Sequence, residues 1–249
     1  MVDLNKIYNK KIPNFISRLN KKEITSSQCF NCLRETEKAI EKGYWKKFSK
    51  PMYYWYEMCD AEKREIIKYI DKYKPKTILE LGFGSGRILN VLLKAKYNNK
   101  IFGVEKDSKI FKITKPLFKK SKNVYLFNEN IDKFLERKTK YDLTIGMMNT
   151  IGNIDNLKLI QKIVLRSKQF IFTVYDRVYY KLRSNIYKSK GHINFFEKNK
   201  NYYFNDCWAK GLKSKSYSKT EIENICKLIG KKYQIKKISK LLFWVCIYD

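Results

Sequence analysis

One histidine, four prolines and eight arginines are the scarce residues of this 249-residue sequence. The lone His192 leaves no set of imidazoles to build a histidine-rich metal centre. Six cysteines are present, at 29, 32, 59, 207, 226 and 246, and only Cys29 and Cys32 have C-x-x-C spacing. A structural zinc site needs four ligands, and a redox pair should open a helix after a strand; neither context surrounds Cys29–Cys32, so the reading is reduced thiols and no metal. Long apolar runs are also missing. The longest clean one, Leu241 to Ile247, is far too short to cross a bilayer. The first twenty residues lack a continuous apolar core, which argues against a secretory leader and makes the cytoplasm the expected compartment.

Acidic residues are few, 24 against 54 Lys and Arg, giving a net charge of +30. Of the basic residues 54 − 8 = 46 are lysines, spread along the chain and accompanied by abundant Asn, Ile, Tyr and Phe. That pattern fits a compositional bias as well as it fits a polyanion partner, because specific phosphate and base recognition favours arginine forks. With 44% hydrophobic and 15% aromatic residues, the chain has ample material for one core.

The informative stretch runs from Thr77 to Arg87, T-I-L-E-L-G-F-G-S-G-R, and continues into Ile88-Leu89-Asn90-Val91-Leu92-Leu93. It reads as a buried strand, a tight turn with glycines at alternate positions, and a helix packed on the sheet. Glycines there accept backbone angles forbidden to other residues and let a ligand lie on bare main chain, facing the positive end of the helix. The dinucleotide fingerprint G-x-G-x-x-G fits imperfectly: Gly82 and Gly84 match, but Gly86 comes one place early. A second buried strand, Ile101 to Val104, ends in Glu105, where a carboxylate is placed to accept both hydroxyls of a ribose.

The string E-L-G-x-G-x-G, from Glu80 to Gly86, resembles the first motif of the class I S-adenosylmethionine-dependent methyltransferases. The resemblance covers about residues 60–249. It implies a three-layer αβα Rossmann-like fold whose seven-stranded, mostly parallel sheet ends in an antiparallel strand, preceded by an N-terminal helical segment. It implies S-adenosyl-L-methionine as cofactor, held at Glu80, Gly82, Phe83, Gly84 and Gly86, at Glu105 with Lys106, at Asn130 and Ile131 beside the adenine, and at Met148 and Asn149 near the methyl group. Asn149-Thr150-Ile151-Gly152 resembles a segment of several small-molecule methyltransferases and differs from the N-P-P-[YF] signature of DNA and glutamine methylases.

The remaining elements follow from pattern. Residues 1–58 read as a helical and aromatic lid, interrupted at Pro13, with Tyr44, Tyr54 and Trp55 as rings placed to wall the donor or substrate. Residues 59–249 form the cofactor-binding domain. Asp60 reads as an N-cap, and Ser108 to Lys120 as a helix kinked at Pro116. Residues 178–217 form an insert that breaks the α/β rhythm, with a hairpin around Asn199-Lys200-Asn201. Ser218 to Glu221 is a capping box, its helix stopped at Gly230, and two last strands follow.

For the chemistry, methyl transfer to a nitrogen or oxygen nucleophile needs a proton acceptor, and Asp176, His192 and Tyr54 are the candidates. A small-molecule acceptor is expected from the N-T-I-G segment and the aromatic insert. An RNA acceptor follows from the charge, and a non-catalytic cofactor-fold binding protein is a third reading. Composition and motifs leave the oligomeric state open.

Overall fold

The computed structural model describes residues 50–95, 99–189, 192, 194–205 and 211–249. The helices expected before residue 50, Tyr44 and the Cys29–Cys32 pair lie outside them. The first described element, α1 (Lys50–Tyr73), is followed by β1 (Thr77–Leu81), α2 (Arg87–Lys94), β2 (Lys100–Val104), α3 (Ser108–Thr114) and β3 (Val124–Phe127). Then come α4 (Ile131–Phe134), β4 (Tyr141–Gly146), α5 (Thr150–Ile154), α6 (Leu157–Leu165), β5 (Ser167–Asp176) and α7 (Tyr180–Ser189). The chain closes with β6 (Phe195–Lys198), β7 (Asn201–Phe204), β8 (Lys213–Ser214), β9 (Ser216–Tyr217), α8 (Lys219–Ile229), β10 (Lys232–Lys237) and β11 (Leu242–Tyr248).

The main sheet has the order β10-β11-β5-β4-β1-β2-β3, with β11 antiparallel to both neighbours and the others joined in parallel. This is the expected seven-stranded arrangement. Strand alternation divides the core between the two faces. Ile78, Ile101, Ile145 and Ile171 meet α1 and α2 through Ile66, Ile70 and Leu89; Leu79, Val104, Phe170 and Phe172 meet α6 and α8 through Ile160, Ile163 and Ile222. Where β4 has ended, the short β9 pairs with Tyr175 and Asp176 at the far end of β5. The insert folds as α7 and a small antiparallel sheet, β6-β7-β8. Its hairpin turns on Asn199 and Lys200, both left-handed at φ 54° and 61°, as a two-residue hairpin turn of this hand requires.

Two local expectations are corrected. Asp60 is no N-cap: α1 begins ten residues earlier, at Lys50, and passes through residues 58 and 59 without a break. The buried stripe Trp55, Tyr56, Met58, Cys59 and Ala61 continues the apolar face of Ile66 and Ile70, so packing carries the helix back past the polar residue. Pro51 sits in the first turn, where its missing N–H has no partner to lose. At Pro116 the α-helix does not kink but stops: α3 ends at Thr114 and a 3-10 turn spans Lys115–Phe118. The capping box and the Gly230 stop on α8 are as expected.

Candidate functional site

The parallel strands β1, β2 and β4 deliver their carboxyl ends to one rim of the sheet, where an open α/β sheet forms its crevice. A cavity of about 470 Å³ lies there, within the range of small-molecule sites.

The glycine turn forms its floor. Gly82, Gly84 and Gly86 all have positive φ, at 66°, 51° and 80°. At Gly86 a β-carbon would lie 2.6 Å from the ring of Phe118, so α2 starts closely packed on that side. At Gly84 a β-carbon would meet nothing nearer than a carbonyl oxygen at 4.0 Å; its surroundings are open, and Gly82 and Gly84 both line the cavity. Against the expectation for Phe83, its ring turns the other way, into the core against Gly103 and Phe111, and the residue does not line the cleft.

Glu105, at the tip of β2, is tied to this turn. One oxygen accepts from the Gly84 amide at 3.1 Å and the other from the Asp107 amide at 2.9 Å. Burial raises its pKa, with the two amides opposing that shift. Each carboxylate oxygen retains a further lone pair, so the group can take two more donors side by side, as a vicinal diol presents them. Lys106, Asn130 and Ile131 line the same end. The Asn130 oxygen also caps α4, accepting from Asp132 N at 3.2 Å.

Glu80 lies beneath the floor, 3% exposed, with one carboxylate oxygen buried and without a hydrogen-bond partner. Burial pushes its pKa up to about 8; the Arg87 guanidinium pulls it down, while Glu105 and Glu62 push it further up. An orphaned acid beside a glycine turn is what a cationic ligand group would satisfy. The sign of the stability linkage follows. The folded pKa stands above the unfolded carboxylate value, so its stabilising contribution is complete below about 4.5 and is lost as pH rises through about 8. Relative to Glu80→Gln, the wild type should lose at least about 1 kcal/mol between pH 5 and pH 8.5 in urea unfolding. A pH-independent difference would show that Glu80 is ionised throughout.

The wall after β4 is strained. Met148 and Asn149 both adopt left-handed backbone, at φ 49° and 65°, a conformation costing roughly 1–2 kcal/mol for each non-glycine residue. Four hydrogen bonds hold it. The Met148 amide donates to Glu62 at 2.8 Å, Asn149 Nδ2 donates to Ser214 Oγ at 3.0 Å and to the Lys215 carbonyl at 3.1 Å, and Tyr175 N donates to Asn149 Oδ1 at 3.2 Å. The Asn149 side chain is thus buried in the junction of β5 and β8. Met147, Met148, Thr150 and Asn153 face the cleft in its place. Gly152 is required because the Asn149 amide lies over it: a β-carbon would sit 2.3 Å from Asn149 Oδ1. That contact explains the glycine of N-T-I-G.

Glu62 had no sequence signal beyond that of a helix acid. It is fully buried on α1, accepting from Met148 N, Thr173 Oγ1 and the Arg87 guanidinium, and so joins α1, β5, the β4 turn and the start of α2.

Of the three proposed proton acceptors, the structure brings one to the cleft. His192 lines it, 6% exposed, in edge contact with the Phe204 ring at 4.9 Å. Asp176 is buried away from it, capping Val178 N at 2.9 Å and paired with Lys237 at 2.5 Å. Tyr54 packs on the Leu241–Leu242 cluster under Lys240, 5.2 Å from its ring centroid. Trp55, the other described ring of the three singled out in the lid segment, does line the cavity. Tyr175 and Tyr187 join it from β5 and α7. Burial pushes the Tyr175 phenol well up, so it stays protonated, and it donates to Met148 Sδ at 3.7 Å. Among the described residues no cluster of three or more His, Cys, Asp or Glu is set to hold a metal, and no helix is long and apolar enough to cross a membrane. Cys59, Cys226 and Cys246 are buried.

No protein-family model matches the chain, and no curated protein matches it in sequence. Solved structures do. The methyltransferase domain of bacterial CtHen1 is 16% identical and superimposes with a TM-score of 0.56 over 77% of this chain and 100% of that one. The plantazolicin methyltransferase BpumL, crystallised with SAH, is 14% identical, with a TM-score of 0.57 over 98% and 99%. An S-adenosylmethionine-dependent methyltransferase from Clostridium acetobutylicum ATCC 824 is 13% identical, with a TM-score of 0.55 over 88% and 98%. The fold of this chain is the class I, Rossmann-like S-adenosylmethionine-dependent methyltransferase fold.

Proposed function

We propose that the cleft binds S-adenosyl-L-methionine and that the protein methylates a nitrogen or oxygen nucleophile of a small molecule. The observation that carries this reading is the Glu105 carboxylate bonded to the Gly84 amide at the mouth of a glycine turn. The chain's own residues fit the cofactor. Gly82 and Gly84 offer bare backbone, Glu105 offers two free acceptor positions, Glu80 offers an unpartnered buried oxygen, and Ile131 offers an apolar face.

The bound sulfonium supplies an activated methyl group, so little chemical activation is asked of the protein. The residues serve to align the acceptor and to exclude water. Trp55 and Tyr175 provide aromatic surface beside the strained Met148 turn, where a cation is attracted to ring faces. His192, which lines the cavity, would then take a proton from an amine or hydroxyl acceptor.

The placement of the arginines favours a small acceptor over RNA. Arg64, Arg87, Arg137 and Arg177 are in ion pairs with acids of the same chain, and Arg183 is buried. Arg87 and Arg183 are thereby withdrawn from phosphate or base recognition, and Arg137 spends both terminal nitrogens on Glu129. The test is to incubate the protein with a cell extract and methyl-labelled cofactor, then separate products by size. Label should appear in the low-molecular-weight fraction and decrease in a His192→Ala variant. Label confined to RNA, with binding that falls steeply as salt rises, would reverse the acceptor assignment. Cofactor binding without any labelled product would support the non-catalytic reading.

A further inference from the structure

Behind the cleft wall formed by Tyr175, Tyr187 and Ser214 lies a charge that the fold does not answer. Arg183, on α7, is 1% exposed. Its guanidinium lies over three tyrosine rings, 4.3 Å from the centroid of Tyr175, 5.1 Å from Tyr202 and 5.7 Å from Tyr187. Nη2 donates to the Ser214 carbonyl and Ser214 Oγ, each at 2.9 Å, and to Tyr187 Oη at 3.1 Å. Nε and Nη1 are buried and have no hydrogen-bond partner. No carboxylate among the described residues forms an ion pair with it. Aromatic faces and neutral oxygens offset part of the cost of burying a cation, but a counter-ion would offset far more.

A proton count at the neighbouring hydroxyls points the same way. Ser214 Oγ receives the Asn149 amide at 3.0 Å and Arg183 at 2.9 Å, and it lies 3.0 Å from Tyr187 Oη. Tyr187 Oη receives Arg183 as well. The two hydroxyls share one mutual contact, which uses one O–H; the other O–H has no acceptor among the described groups. Tyr187 and Ser214 both line the cleft. The cleft's acids, Glu105 and Asp107, follow β2, which β4 and β1 separate from β5. A second cavity of about 800 Å³ adjoins at His192, which lines both, and its walls set Lys181 and Lys188 against the single acid Glu197. The approach and this wall are therefore both positive, with one hydrogen-bond donor to spare.

We propose that this side of the cleft is an oxyanion subsite, and that the methyl acceptor carries a carboxylate or phosphoryl group seated there. The group accepts the spare O–H of the Tyr187–Ser214 pair, lies in the field of Arg183, and enters past Lys181 and Lys188. The word acceptor rests on the methyl-transfer reading above; the subsite itself does not.

Saturation-transfer NMR titrations with benzoate, phenyl phosphate and neutral benzamide test it, on the full chain with and without SAH. At least one of the two anions should bind roughly tenfold or more tightly than benzamide, since hydrogen bonds to charged groups are worth at least that factor. Whichever anion binds better identifies the carboxylate or the phosphoryl source. Tyr187→Phe/Ser214→Ala, which removes both hydroxyls, should cost the anion roughly tenfold or more, and Arg183→Met at least as much. If Arg183→Met does not fold, the double variant still decides. Equal binding of benzamide, or anion binding unchanged in the variants, would overturn the subsite and place the anions on surface lysines. A parallel SAH titration separates the two readings. Absent SAH binding removes the methyltransferase reading, while the anion titration on the free protein still decides the subsite.

Discussion

Replacing Glu62 by alanine should lower stability by about 3–5 kcal/mol in urea unfolding, the range for removing one partner of a buried ion pair. Three groups lose an acceptor at once: the Arg87 guanidinium, the Thr173 hydroxyl and the Met148 amide. The Arg87 side chain is 15% exposed and Glu62 is 0% exposed, so water reaches this network poorly. The Met148 amide matters most for function, because it anchors a left-handed turn that lines the cleft. Glu62→Gln keeps an acceptor but loses the charge, and should fall between wild type and alanine. A cost below about 1 kcal/mol for alanine would mean that the network is not what holds α1 to the sheet.

The second large effect falls on binding. If the proposed ribose contact holds, Glu105→Ala should weaken SAH by roughly a hundredfold or more in calorimetric titration, because two charge-assisted hydrogen bonds would disappear together. Stability should change little, since the Gly84 and Asp107 amides that it accepts from border an open cavity and can be met by water. Glu105→Gln should lose less, keeping one acceptor oxygen. Unchanged affinity in the alanine variant would remove Glu105 from the site.

The glycine turn was legible in the sequence because its residues impose their own conformation: three positive-φ glycines between an apolar run and an amphipathic one leave few alternatives. Glu105 was legible through its place at the end of the next strand. The hairpin and the capping box announced themselves through local hydrogen-bonding chemistry.

The rest depends on contacts between distant residues. Glu62 reads as a solvated helix acid, and only the convergence of Arg87, Met148 and Thr173, from three later segments, shows it buried. Asp60 misled because cap propensity is weak against a packed apolar stripe; Pro51 was the better start signal. Asp176 was reasonable as a base at a strand exit, but Lys237, on the antiparallel return of the sheet, claims it. Arg183, Tyr187 and Ser214 meet through the fold of the insert, and no motif in the chain links them.

The central claim is that the glycine turn and Glu105 hold S-adenosylmethionine, and a crystal structure of the protein soaked in SAH tests it most directly. The ribose should lie against Glu105, the amino-acid end over Gly82 and Gly84 toward Glu80, and the adenine beside Ile131. An empty cleft at saturating ligand, or one that takes up a nicotinamide dinucleotide instead, would contradict it.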